Sequence, residues 1–322
     1  MRWHTLKARL LERGTARVTG VPVDAFVGRS TAGPSAGGEG SVFFSVDGKR
    51  VRLSLDRNSP VEILHEGCGS AVLRIGDQDV RGVLEPVGLH CPRQAYLTIS
   101  ESCIFHCRYC RVPFQRGRTK TPLEIRSLIE PVRREIDAIC LTGGVADSWE
   151  KEECRALDTV REIRDLNIPI GVSIYPGPGT PERLYALEVA EVKFNIETAS
   201  ASLFRQMCPD LDRAQMLQAL GRSVEIFGEG RVYSNLIIGI GETDAEIASC
   251  IGQLTEMGVI PVLRPLTPAA GVAAYARPSA ERLLHVLEIH ECILKKAGLS
   301  TRTARTMCTL CTGCDLVPGR DT

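Results

Sequence analysis

The stretch Cys103-Ile104-Phe105-His106-Cys107-Arg108-Tyr109-Cys110 decides the reading of this chain. It follows Ala95-Tyr96-Leu97-Thr98-Ile99-Ser100, an apolar run of strand length. A short loop after a strand can wrap three thiolates around one inorganic centre. Three thiolates fill three irons of a cubane cluster and leave the fourth open, much as a catalytic metal site keeps a vacancy that a structural site closes. The competing readings are a zinc site or three incidental thiols.

Working outward, the 322 residues suffice for one large α/β domain and a smaller appendage. Lys+Arg and Asp+Glu balance at 39 each, which argues against a nucleic-acid partner or an anionic membrane surface. No apolar run approaches the ~20 residues of a membrane span, and Met1-Arg2-Trp3-His4-Thr5-Leu6-Lys7 lacks the apolar core of a signal peptide. Of thirteen cysteines, six form two triplets, Cys103/Cys107/Cys110 and Cys308/Cys311/Cys314. Without a secretory signal, such triplets favour metal clusters over disulfides. The expected compartment is a reducing, anaerobic cytoplasm.

Residues 1 to about 13 read as a helix stopped by Gly14. Runs 41–46 and 49–55 around Asp47-Gly48 read as a hairpin, and 71–75 with 80–84 as a second strand pair joined through Gly76-Asp77. Gly28–Gly40 reads as a mobile loop with no phosphate-loop pattern. Residues 1–93 are therefore expected to form a small β-rich N-terminal domain, with Cys68 as a small buried residue. From Gln94 the pattern changes. Strand-length runs at 95–100, 137–142, 168–174, 191–197, 231–238 and 259–264 alternate with amphipathic helical segments. Helix starts are signalled at Thr121-Pro122, Thr180-Pro181-Glu182, Thr243-Asp244-Ala245-Glu246 and Pro278-Ser279, and the last helix ends near Gly298. The prediction is an α/β fold. A partial (βα)6 TIM-type barrel spans 94–298, with its site at the carboxyl ends of the strands, and a cysteine segment spans 299–322.

Candidate site residues cluster at those strand ends. Thr142-Gly143-Gly144 lets backbone approach a ligand, or forms a plain tight turn. Ser173 and Tyr175 are candidates to face the barrel mouth. Asn195 and Glu197, two apart on a strand, share a face; a ribose diol suits them, and an internal pair with Lys193 or an arginine is the alternative. Arg264 either grips an anionic group or makes a surface salt bridge. Met307-Cys308-Thr309-Leu310-Cys311-Thr312-Gly313-Cys314 is a second three-thiolate loop. It reads as an auxiliary [4Fe–4S] site with Cys91 as candidate fourth ligand, or as zinc. His106 reads as packing, and His285 and His290, five apart on a helix, face different sides and receive no metal role.

The CxxxCx-aromatic-C loop after a first barrel strand, with Tyr109 before the last cysteine, resembles the radical S-adenosylmethionine superfamily. That resemblance implies a [4Fe–4S] cluster on Cys103, Cys107 and Cys110. Its open iron chelates S-adenosylmethionine, and one electron releases a 5′-deoxyadenosyl radical that abstracts substrate hydrogen. It also implies that Gly143 and Gly144 serve the amino group through backbone carbonyls, with Val145 where the family often has glutamate. Tyr233-Ser234-Asn235-Leu236-Ile237-Ile238-Gly239-Ile240-Gly241-Glu242-Thr243 resembles the family's GxIxGxxE strand, which makes Ile238 an apolar support for adenine. Asn195-Ile196-Glu197-Thr198 is similar to the Asn-x-Asp-Thr stretch of biotin synthases. The branch most resembled is that of biotin and lipoyl synthases, including the two-component archaeal lipoyl synthases, where an auxiliary cluster donates sulfur. The implied reaction is sulfur insertion into a C–H bond. Radical rearrangement or methylation, in cofactor biosynthesis or protein modification, is the alternative, and a non-catalytic Fe–S electron carrier is the alternative of another class. Implied partners are a low-potential electron donor such as ferredoxin and a carrier-protein, peptide or partner-subunit substrate.

Overall fold

The computed structural model describes residues 2–322. A helix, Trp3–Arg13, closes on Gly14, whose φ of 68° is the left-handed cap that glycine adopts without strain. Six strands follow: β1 (Thr15–Gly20), β2 (Ser41–Val46), β3 (Lys49–Leu55), β4 (Glu62–Gly67), β5 (Ser70–Ile75) and β6 (Gln78–Leu84). They close into a barrel in the order β1-β3-β2-β6-β5-β4. The β2–β3 turn is Asp47-Gly48 with both φ positive, as a type I′ turn requires. The β5–β6 turn at Gly76-Asp77 also matches its signal. β1 and β4 carry weaker alternation and were not legible beforehand. Cys68 lies in the β4–β5 turn and is exposed, so the expectation of a buried residue is corrected.

The larger sheet begins with β7 (His90–Cys91), which pairs antiparallel with β8 (Gln94–Thr98). The expected domain boundary at 93 therefore falls inside a hairpin of this sheet. Parallel strands β9 (Ala138–Thr142), β10 (Ile170–Ser173), β11 (Glu191–Lys193), β12 (Val232–Ile238) and β13 (Ile260–Pro265) continue it in sequence order. The sheet is open, so the barrel is partial. Helices Pro122–Ile129, Trp149–Ile163, Thr180–Tyr185, Ala201–Met207, Arg213–Phe227, Asp244–Glu256 and Ala280–Ala297 connect and follow the strands. Trp149–Ile163 buries Ala156, Leu157, Val160 and Ile163, a helical stripe against the sheet. Thr121 and Thr243 each make the capping box with a glutamate three residues on. The Thr180 expectation is corrected. The cap there is Gly179, and Thr180 sits in the first turn, where its hydroxyl accepts from Gly177 N–H and donates to Glu153. β11 is shorter than the predicted 191–197, because Glu197 turns to a left-handed φ of 57°.

After Ala297 the chain runs beneath the barrel and turns up into it as a short helix, Met307–Cys311. Glu191, fully buried at the start of β11, accepts the backbone N–H groups of Arg305 and Thr306 and the Thr306 hydroxyl, at 2.8, 2.8 and 2.7 Å. Met307 packs between Cys140, Tyr233, Ile260 and Val262 inside the barrel. Near the end of the chain Asp321 pairs with Lys7 at 2.7 Å and accepts from Trp3 Nε1 and Val317 N–H, while Lys7 also donates to the Thr312 carbonyl. Both charged side chains are buried, so removing one strands the other. Asp321→Ala is expected to cost about 3–5 kcal/mol, read as a lowered denaturant midpoint. An unchanged midpoint would show that the pair carries no such weight.

Candidate active site

The cysteine loop after β8 is braced through its backbone. Ile104 N–H donates to Val145 O at 2.8 Å, Arg108 N–H to Met207 O at 2.8 Å, and Val145 N–H to Cys103 Sγ at 3.4 Å. The turn after β9 therefore sets the position of the first thiol. Its two glycines are there for closeness. A Cβ on Gly144 would lie 2.2 Å from Ser102 O and 2.9 Å from Cys103 Cβ; one on Gly143 would lie 2.4 Å from Glu152 Oε1. Glu152, which sequence reading missed, is a buried carboxylate that accepts from Ser100 Oγ at 2.6 Å and from Arg155.

A cavity of ≈ 370 Å³ is lined by Cys103, Cys107, Tyr109, Cys110, Thr142, Gly143, Gly144, Ser173, Asn195, Glu197 and Arg264. Ile238 is corrected: it is fully buried in the main core, and Ile237, one place earlier, lines the cavity with Asn235. Strand alternation fixes this, since Asn235 and Ile237 share one face of β12 and Leu236 and Ile238 the other. Asn195 and Glu197 reach the cavity by a different route from the predicted one, because the strand has ended before them. Asn195 Oδ1 accepts from Asn235 N–H at 3.1 Å, and Asn235 Oδ1 is buried without a hydrogen-bond partner among the described residues. Burial pushes the Glu197 carboxyl up to about 7. Tyr175 is not at the cavity; it lies against Phe105 with ring centroids 5.1 Å apart. His106 is exposed and pairs with Asp210 at 3.2 Å, so the packing expectation is corrected. His285 is exposed and His290 buried, on different sides as expected.

The second cysteine loop opens onto the same cavity. Cys91, Cys308, Cys311 and Cys314 all line it. Cys91 and Cys311 pack together; that contact takes the Cys311 thiol down, while it and burial push the Cys91 thiol up. Lys193 Nζ donates to Cys308 Sγ at 3.4 Å and to Tyr96 Oη at 3.5 Å, so a cation stands beside this set. Arg264 is not on the surface. Burial works against its charge, and Cys314, Cys308 and Asp315 more than offset that, which holds it protonated. Lys193, Tyr96, Arg52 and the segment Arg29–Ser35, read beforehand as a mobile loop, also line the cavity. Their signal was invisible in sequence because it depends on which elements the fold brings together.

The residues fit an iron–sulfur group. Burial raises the Cys103 thiol and takes Cys110 up to about 12, and contact with Cys208 and burial raise Cys107. Such thiols need a cationic centre to hold them as thiolates. Cys103, Cys107 and Cys110 all line this one cavity, and a cubane takes its thiolates at separate corners. Gly144→Ala should push the turn off the Cys103 loop. We expect reconstituted iron to fall by the share of one cluster, with the chain still folded by circular dichroism; full iron retention would show that the loop tolerates the shift.

Residues 97–254 match the Radical SAM superfamily. A lipoyl synthase of Pelodictyon phaeoclathratiforme is 29% identical over 203 residues, covering 58% of this chain and 63% of the relative. A tRNA-2-methylthio-N(6)-dimethylallyladenosine synthase of Clostridium tetani is 22% identical over 210 residues, covering 59% of this chain and 45% of the relative. The chain thus spans less than two thirds of the length of either relative. In fold it is similar to methylornithine synthase (PylB), with a TM-score of 0.56 at 14% identity over 64% of this chain and 63% of that one. Residues 97–254 therefore form a domain of the radical S-adenosylmethionine superfamily, whose enzymes use S-adenosylmethionine and a [4Fe–4S] cluster.

Proposed function

We propose that this enzyme inserts sulfur into a C–H bond of its substrate, using two iron–sulfur clusters that face one cavity. One observation carries the reading: Cys103, Cys107 and Cys110 line the same cavity as Cys91, Cys308, Cys311 and Cys314. A relay or structural cluster is served by a site walled off from substrate; a sulfur donor has to face it. The matched relatives include enzymes named for lipoyl and methylthio products, which supports the same direction.

Cys103, Cys107 and Cys110 would hold the first cluster, which would supply the electron that cleaves S-adenosylmethionine, and Cys91, Cys308, Cys311 and Cys314 would hold the second, which would supply sulfur. The chain's residues do the positioning. Glu197 accepts the ribose hydroxyls. Because Asn195 Oδ1 is taken by Asn235 N–H, Asn195 presents its amide nitrogen. Ile237 gives adenine an apolar face, and Gly143 and Gly144 offer carbonyls to the amino group. Lys193 and Arg264 offset the negative charge that four thiolates leave on the second cluster. The family draws its electron from a donor; a carrier-protein or peptide substrate is the partner this reading favours.

Anaerobic reconstitution tests the two-cluster claim. Roughly eight irons per chain are expected, falling to about four in Cys308→Ala, with dithionite-driven 5′-deoxyadenosine formation retained. Unchanged iron in that variant would remove the second cluster. Sulfide loss on turnover supports insertion; sulfide retained through product formation would assign the second site to rearrangement or methylation instead. Glu197→Ala should raise the KM for S-adenosylmethionine about 10–100-fold, from hydrogen bonds to a charged group worth about 1.5–3 kcal/mol, without loss of iron. Ile238→Ala should leave that KM unmoved. Equal effects of the two variants would contradict the assignment of faces on β12.

A further inference from the structure

We propose that the cavity wall formed by Arg52, Ser54 and Arg277 is a subsite for an oxyanion of the substrate, a carboxylate or a phosphate. The inference rests on the two-cluster reading above and names the class of substrate that this site takes. All three residues line the cavity, and all lie outside residues 97–254, the part of the chain that matches the superfamily. They belong to one stretch of wall. The Arg277 guanidinium lies over Gly14, where a Cβ would come within 2.1 Å of its Cζ. Gly14 O accepts the Ser54 N–H at 3.1 Å, and Ser54 and Arg52 stand two apart on one face of β3. The protein neutralises neither guanidinium. Arg52 Nε donates to Ser41 Oγ at 2.7 Å, and Arg277 donates to Leu11 O and Thr267 Oγ1, each at 3.4 Å, with no carboxylate on either among the described residues.

The cavity holds more positive charge than its proposed cofactors answer. Arg52, Lys193, Arg264 and Arg277 bring four positive charges to it, and Arg29, also on the lining, is left to solvent. Four thiolates on an oxidised [4Fe–4S] core would leave about two negative charges. The first site balances without these cations, since three thiolates would leave about one negative charge and S-adenosylmethionine brings about one positive charge. Glu197, the one carboxylate on the lining, stands beside Cys107 and Cys110 at that first site. About one to two positive charges therefore stay unanswered, according to whether Glu197 is ionised. The surroundings mark where they are. Lys193 donates to Cys308. Burial works against the Arg264 charge, and Cys314, Cys308 and Asp315 together outweigh it. Around Arg277, burial outweighs the one anionic neighbour, Cys314. A buried cation without a partner is costly, and a bound oxyanion removes that cost. Two guanidinium forks suit the task, because each offers paired N–H donors to a carboxylate or a phosphate. For the peptide or carrier-borne substrate favoured above, this places an acidic group close to the carbon that reacts.

The test uses the reconstituted full chain, saturated with S-adenosylmethionine and left unreduced, so that the first site is filled and no turnover occurs. The probes are glutarate and inorganic phosphate, titrated by calorimetry. The wild type should bind at least one of them at a single site per chain, and the tighter of the two names the oxyanion. Glutaramide, the uncharged isostere of glutarate, should not compete. Arg52→Met and Arg277→Met should each raise the probe Kd about ten-fold or more, with iron content retained. Arg277→Lys, which keeps the charge and loses the fork, should fall between. Arg302→Met, in the separate cavity lined by Lys49, Arg50, Arg93 and Arg320, should bind as the wild type does. A wild type that binds neither probe overturns the subsite. So does a Kd that Arg52→Met and Arg277→Met leave unmoved, or that Arg302→Met raises equally. Reconstituted iron for a single cluster, with probe binding intact, would instead strike the two-cluster reading and leave the subsite standing.

Discussion

A buried carboxylate holds the floor of this enzyme together. Glu191 begins β11 with no exposed surface, and it receives two backbone N–H groups and a hydroxyl from Arg305 and Thr306. An unpaired carboxylate there would be costly, so the C-terminal segment is needed by the barrel as much as the barrel is needed by the segment. Once Thr306 is seated, Met307 is drawn into the interior, where Cys140 Sγ accepts its N–H at 3.0 Å and Gln94 Nε2 donates to its carbonyl at 3.2 Å. Met307 itself takes a left-handed φ of 59°. That turn aims the following cysteines upward into the cavity and not back along the base. The Lys7–Asp321 pair then fastens the far side of the same segment. Placement of the second thiol set is thus a consequence of buried polar pairing at both of its ends.

The cavity that results has two unlike halves. Beside Cys107 and Cys110 the charge is the Glu197 carboxyl. Beside Cys308 and Cys314 the charges are cationic: Lys193 donates to Cys308 at 3.4 Å, and Arg264 and Arg277 act on Cys314. The division suits the proposed occupancy. S-adenosylmethionine would bring a sulfonium, an ammonium and a ribose diol, which call for acceptors, and a second cluster closed by four thiolates would bring net negative charge, which calls for cations held where water cannot screen them. Lys193 stands at the join, with Tyr96 and Cys308 both within reach of its Nζ.

Sequence carried the periodic and the local parts of this molecule. All six parallel strands, the hairpin at Asp47-Gly48, two capping boxes and the Gly298 stop are written in short-range chemistry, and the structure has them. So are both cysteine loops, because ligand spacing is itself local. Cys91, named from sequence only as a candidate fourth thiol, packs with Cys311. What failed was register and reach. The choice between Ile237 and Ile238 depends on which face of β12 looks inward, and a run of three isoleucine or leucine neighbours carries no alternation to say so. The extent of β11 depended on a left-handed Glu197 that no propensity signals; such a conformation is kept because surrounding contacts over-determine it, here the pairing of Glu197 with Leu236. On the cationic side Arg264 was legible as a grip on an anionic group; Lys193 and Arg277 were not, because that side is assembled from separate stretches of chain.

The N-terminal barrel has a use that its size would not suggest. A sheet of six parallel strands that does not close leaves one flank of its interior open to solvent. Here that flank meets β2 and β3: Arg52 N–H donates to the Gly313 carbonyl at 2.7 Å, and the Phe43 ring lies where a Cβ on Gly313 would come within 2.4 Å. Glycine between Cys311 and Cys314 is therefore a requirement of the fit between the two barrels, not a feature of the cysteine motif alone. Phe43 packs with Cys91 and Cys311 in one small apolar cluster, and Thr31 reaches across to Thr98 at 2.9 Å. The small barrel thus walls the cavity and shields the second thiol set. On the proposed reading, a second cluster that faces substrate and is kept from bulk water would need a wall of this kind, and β2 and β3 supply one at the open side of the partial barrel.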